Sequence, residues 1–154
     1  MNETLISNYN KVVSQDDTVY FLGDVIFGGT TKARAIIERL NGEKHLIIGN
    51  HDVVNRAEKW LKLGFKTAVH SMKFGTVHSM KFGNFNLSHF PYAGFEADER
   101  HFEHRLKDEG DWLFHGHVHQ HWKQKDRMIN VGVDIWDFYP VSLPDLLDIV
   151  VGEL

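Results

Sequence analysis

The sequence predicts an α/β domain with parallel strand pairing, and three observations carry that expectation. Short apolar runs of strand type, Thr18-Val19-Tyr20-Phe21-Leu22 and Lys44-His45-Leu46-Ile47-Ile48, alternate with stretches whose apolar residues recur at helical spacing. Each run breaks into a glycine and then polar residues, Gly23-Asp24 in one case and Gly49-Asn50-His51-Asp52 in the other. The 154 residues are 42% hydrophobic and 25% charged, ordinary for one globular domain (residues 1–154) with room for a real core.

In chain order, residues 5–13 put Leu5, Ile6, Tyr9, Val12 and Val13 at helical spacing, and Asp16-Asp17 breaks that helix. After the strand at 18–22, Gly28-Gly29-Thr30 forms a loop, and Thr30 or Thr31 caps a helix over 32–40 that Asn41-Gly42 closes. The strand at 44–48 leads to a helix over 54–63, stopped by Gly64. Residues 69–75 and 77–83 carry the same seven residues, Val-His-Ser-Met-Lys-Phe-Gly. Each copy alternates and ends in glycine, which predicts a hairpin or an added β-loop and makes His70 and His78 surface or strand residues. A strand at 85–88 ends at His89-Phe90-Pro91, and the charged stretch 98–108 reads as helix. Residues 112–121 form a strand and turn, 128–133 another strand, and 145–150 a final helix with Pro144 in its first turn.

Composition excludes several classes. There is no cysteine, hence no disulfide and no thiolate metal site. A formal charge of −4 argues against a broad electrostatic grip on nucleic acid. No apolar run reaches membrane-spanning length and Met1-Asn2-Glu3-Thr4 does not open a signal peptide, so the expected location is cytoplasmic, with no membrane partner.

The stretch Leu113-Phe114-His115-Gly116-His117-Val118-His119-Gln120-His121 holds four of the eleven histidines. If extended, it projects all four imidazoles from one side, where neighbouring rings can serve adjacent metals. A polar strand rich in histidine is the competing reading. Other strand ends supply matching ligands: Asp24, Asn50, His51 and His89 all fall where α/β sheets build their sites. Each has an ordinary alternative in turn chemistry, helix entry or a buried hydrogen bond.

Taken in order, Gly23-Asp24, Gly49-Asn50-His51-Asp52, His89 and Gly116-His117-Val118-His119 resemble the calcineurin-like metallophosphoesterase family, and the resemblance runs over essentially the whole chain. It implies a four-layer α-β-β-α sandwich with a two-metal centre among loops at one edge. By that resemblance Asp24 bridges both metals, Asn50, His89 and His117 complete one site, and His119 serves the other. His51 stands near the leaving group as proton donor or phosphate contact. Asp52 either orients His51 or serves the helix entry. The implied cofactors are divalent manganese, iron, zinc, cobalt or nickel, two in the family, which activate a hydroxide for in-line attack on phosphorus.

The family pattern opens with Asp-x-His on a first strand, and none precedes Gly23-Asp24. The expectation is therefore an N-terminally shortened sandwich, nearer one metal than two per chain, with weak metal-dependent hydrolysis. A start at an internal methionine, a natural short form, or a replacement ligand such as His115, His121 or a second chain would each account for it. A missing inner strand leaves an edge that a homodimer would cover.

The function expected is hydrolysis of a phosphate ester, a small phosphodiester or phosphomonoester. A nucleotide is one such substrate, its base stacked on Tyr92, Phe95, Trp122 or Trp136. Nuclease action would use Arg100, Arg105, Lys107, Lys123, Lys125 and Arg127 as flanking charges, against the net negative balance. The alternative is a binding or scaffold protein of the same fold with weak or no catalysis. A redox iron protein has no support beyond the histidines.

Overall fold

The fold was obtained as a computed structural model, which describes residues 2–26, 30–52, 57–74, 84–94 and 101–152. Strands β1 (Thr18–Phe21), β2 (Glu43–Ile47) and β3 (Phe65–Val69) pair in parallel in the order β1-β2-β3. Helices α1 (Asn2–Val12), α2 (Thr30–Ile37) and α3 (Ala57–Lys62) connect or precede them. Alternation along β2 and the residue after it divides the core. Leu46 and Ile48 pack with Ala33 and Ile37 of α2 and with Trp60, Leu63 and Phe65, whereas Ile47 faces the second sheet.

That second sheet contains β4 (Ser71–Phe74), β5 (Phe85–Ser88), β6 (Trp112–His115), β7 (Gln124–Lys125) and β8 (Met128–Asn130), in the order β4-β5-β6-β8-β7. β5, β6 and β8 are parallel, and the edges β4 and β7 are antiparallel to their neighbours. All four residues of β6 are buried, as a central strand covered on both faces requires. Trp112 and Phe114 join Phe85, Leu87, Ile129, Leu22 and Ile47 in the core between the sheets. Leu146 and Val150 of α4 (Leu143–Gly152) complete that core. Leu113 points the other way, against Tyr92 and Met128. Each such side chain contributes about 1.5–3 kcal/mol by leaving water, so the sheets hold the strand ends firmly. Together the two sheets and, among the described residues, four α-helices make a mixed α/β fold. No helix among the described residues is long and apolar enough to cross a membrane.

The early elements and α4 fall close to their predicted spans, and Ser142 Oγ accepts the Asp145 N–H at 3.3 Å as α4 begins. Three expectations are corrected. The strand of 112–121 stops at His115, because Gly116 is followed by left-handed backbone at His117 (φ 69°) and His119 (φ 48°). The four imidazoles therefore do not share one strand face. The first heptad, 69–75, is divided between two sheets: Val69 ends β3, His70 bends, and Ser71 begins β4, which pairs antiparallel with β5. The second copy, 77–83, lies outside the described residues, as do Gly28-Gly29, the start of the 54–63 helix and residues 95–100. The helix of 98–108 reduces, over residues 101–108, to one 3-10 turn, Phe102–His104, entered through left-handed His101 (φ 64°) and left through extended Arg105. Finally, β3 was not expected: Phe65-Lys66-Thr67-Ala68-Val69 mixes polar and apolar residues and draws its strand character from pairing with β2.

Candidate metal centre

Four strand ends open onto one spot. β1 runs into Leu22, Gly23 and Asp24; β2 into Gly49 and Asn50; β5 into His89; β6 into Gly116 and His117. Two glycines permit the approach. A Cβ at Gly23, whose φ is +88°, would collide with His89, and one at Gly49 would collide with Asp24. Asp24 follows with φ 54°, a left-handed conformation uncommon outside glycine and held here by the contacts around it.

Asp52 supplies those contacts. Its carboxylate is 1% exposed and accepts the N–H groups of Asp24 (2.8 Å), Val25 (3.0 Å) and Gly49 (2.8 Å). It thus ties the β1 loop to the β2 loop and acts as a positioning residue for both. Asp24 Oδ1 accepts the His51 N–H at 2.9 Å, while its Oδ2 lies 3.5 Å from His89 Nε2. The His51 residue itself is exposed beside the cluster.

His89 is 1% exposed, and its Nδ1 lies 2.8 Å from the Leu22 carbonyl oxygen. A carbonyl can only accept, so the proton is on Nδ1 and the Nε2 lone pair faces the cluster. There Nε2 is 2.9 Å from Asn50 Oδ1 and 3.2 Å from His117 Nδ1, and His117 Nδ1 is 3.1 Å from Asn50 Oδ1. One ligand atom each from Asp24, His89 and His117 falls within a common span of 4.8 Å.

Two acceptors, His89 Nε2 and Asn50 Oδ1, therefore meet at hydrogen-bond distance, an arrangement that needs a positive group beside them, either an N–H on His117 Nδ1, 3.2 and 3.1 Å away, or a cation. Protonating His89 would relieve this, but burial pushes its pKa down, against a smaller upward pull from the Asp24 carboxylate. A cation can take that place, and the donor set of carboxylate, amide oxygen and two imidazoles suits a divalent transition metal. Phe90 shields the site, meeting His89 edge-on at 4.8 Å and His117 at 4.7 Å.

The other sequence candidates are placed elsewhere. His119 has a 69% exposed side chain whose Nδ1 lies 3.5 Å from Asp134 Oδ2, outside the described cluster. His115 is fully buried against Trp122, its Nδ1 2.8 Å from the Gly116 carbonyl oxygen and its Nε2 without a hydrogen bond. Burial lowers its pKa to about 4. His121 is exposed. Tyr92 is core rather than a stacking surface, its hydroxyl donating to the Asp111 carbonyl; Phe95 and Arg100 lie outside the described residues. Of the charges that nuclease action would use, Arg105 is buried over Phe90, Lys123 sits on the Trp136 ring and Arg127 pairs with Asp108.

Two contributions escaped the sequence. Asn130, fully buried, donates to the His119 and Trp122 carbonyls and accepts from Gly132 N–H, fixing the turn that carries His117. Phe90 was visible only as part of a strand exit.

No family model matches the chain. It is 35% identical to the gene 66 protein of Mycobacterium phage L5, over 96% of this chain and 79% of that protein. It is 34% identical to the uncharacterized protein MJ1445 of Methanocaldococcus jannaschii, over 97% and 75% respectively. The gene 66 protein of Mycobacterium phage D29 is 33% identical, over 87% and 76%. Among solved structures, a protein of unknown function from Aquifex aeolicus, AQ665, superposes with a TM-score of 0.69 at 26% identity, covering 96% of this chain and 84% of that one.

Proposed function

The chain belongs to the family of the phage gene 66 proteins and MJ1445, and from that premise we propose that it is a metal-dependent hydrolase of phosphate esters with a calcineurin-like metallophosphoesterase sandwich. The observation that carries the reading is the acceptor-rich convergence of Asp24, Asn50, His89 and His117 at four strand ends. These residues would hold a divalent manganese, iron, cobalt, nickel or zinc ion. Such an ion supplies acidified water near neutral pH and draws charge from phosphoryl oxygens.

The protein's own groups do the rest. Asp24, with its backbone fixed by Asp52, keeps one carboxylate oxygen free of the His51 N–H. The Leu22 carbonyl fixes the His89 tautomer, so the ring presents a lone pair without rearrangement. His51, exposed next to the cluster, offers a proton to the departing alkoxide or a hydrogen bond to a phosphate oxygen. Phe90 keeps bulk water from one side.

The test is hydrolysis of bis(4-nitrophenyl) phosphate with manganese added to chelator-treated protein. Activity should depend on added metal, fall at least about a hundredfold in His117→Ala, and fall less in His51→Ala. Unchanged rates in both variants would overturn the reading. The outward placement of His119, beside Asp134, favours a second reading in which a single ion supports binding and little turnover. Under it, manganese binds with one ion per chain and turnover stays at the metal-free rate.

A further inference from the structure

A cleft of about 190 Å³ opens beside the ligand cluster, and the two share Asn50. Ile48, Gly49 and Asn50 line it together with four rings, those of His70, Phe90, His101 and His104. The rings have related orientations. His70 and His104 are nearly parallel, 3° apart with centroids at 5.1 Å. His101 lies 19° from His104 at 6.5 Å and 24° from Phe90 at 5.6 Å. Phe90 then meets His117 at 4.7 Å, so this wall of rings runs up to a ligand imidazole.

Core packing does not account for the arrangement. His70 and His101 are exposed and His104 is half-buried, and they come from two separate segments of chain. The described lining contains no lysine, arginine, aspartate or glutamate; the Arg105 guanidinium packs on the Phe90 ring, 5.1 Å from its centroid, without lining the cleft. It offers ring faces for stacking, and each imidazole adds polar nitrogen edges. The volume lies below the roughly 300–1,000 Å³ of sites for drug-sized ligands, which limits the occupant to about one ring system.

We infer that this cleft receives the planar heteroaromatic ring, of nucleobase type, of a phosphate ester whose phosphoryl group lies at Asp24, Asn50, His89 and His117; the inference rests on the phosphoesterase reading of that cluster. The substrate class is thereby a nucleoside phosphate, with Phe90 as the element common to the ring site and the phosphoryl site.

The experiment is calorimetric titration of manganese-loaded protein with adenosine 5′-monophosphate and, separately, with ribose 5-phosphate. The nucleotide should bind about tenfold more tightly, the scale of one base stacked on aromatic rings. In the His101→Ala/His104→Ala double variant that ratio should fall to about one. A ratio near one in the unsubstituted protein, or a tenfold ratio that survives in the double variant, overturns the inference. If neither compound shows manganese-dependent binding, manganese-dependent hydrolysis of bis(4-nitrophenyl) phosphate shows whether the phosphoesterase reading fails by itself. Adenosine titrated into metal-free protein then decides the ring site: saturable binding lost in the double variant supports it, and no binding overturns it.

Discussion

His117 and His119 stand two residues apart in one turn, yet their surroundings differ in nearly every physical respect. His117 is half-buried at the meeting point of four loops, within 3.2 Å of His89 and 3.1 Å of Asn50. His119 extends into solvent beside the carboxylate of Asp134. Both have left-handed backbone, and both belong to a loop that Asn130 ties down. The contrast shows that local histidine density does not by itself bring imidazoles together. The strand end bearing His117 is fixed against three other strand ends, whereas His119 lies beyond them.

The largest effect should come from cutting what fixes those ends. Asp52→Ala leaves three N–H groups without their acceptor in a buried site, and should lower stability by about 3–5 kcal/mol in urea unfolding. A loss below about 1 kcal/mol would show that the loops are held by other means.

The acid limb of stability should come next. Because burial holds the His115 pKa at about 4, below its unfolded value near 6.5, the unfolded chain takes up the proton first. The His115 contribution is therefore complete above pH 6.5 and is lost as pH falls towards 4, a span of about 3 kcal/mol. Urea unfolding at pH 7 and pH 4.5 should show that decline in the natural sequence and a shallower one in His115→Phe. Parallel declines in the two proteins would remove His115 as the cause.

Gly49→Ala should act mainly on the cluster. The new methyl group meets Asp24 and His89, and accommodating it costs about 1–3 kcal/mol together with most of the metal affinity. Unchanged metal binding in this variant would mean that the close approach of the loops is not required. Smallest of all, Asp134→Asn should change stability by less than about 1 kcal/mol, since the pair it forms with His119 is exposed.

Much of this site was legible because its signals are local. Asp24, Asn50 and His89 each follow an apolar run that alternation identifies as a strand, and strand exits on one side of an α/β fold converge. The spread of 115–121 over one face was not legible as it stands, because it assumed an extended backbone that the φ values of His117 and His119 end. β3 was invisible for the opposite reason: its strand character lies in pairing with β2 and not in its own composition. Nor could the sequence bring His70 to His101 and His104, which meet only after His70 has turned the chain from one sheet to the other.

The central claim is that one cation is held by the strand-end groups and not by the histidine run at large. Chelator-treated protein should be titrated with cobalt(II) while the visible absorption of the coordinated ion is followed, in the natural sequence and in His89→Ala, His117→Ala and His119→Ala. A saturable spectrum is expected at one ion per chain, lost in His89→Ala and His117→Ala and retained in His119→Ala. A spectrum that persists without His89 and His117, or that vanishes only without His119, would contradict it.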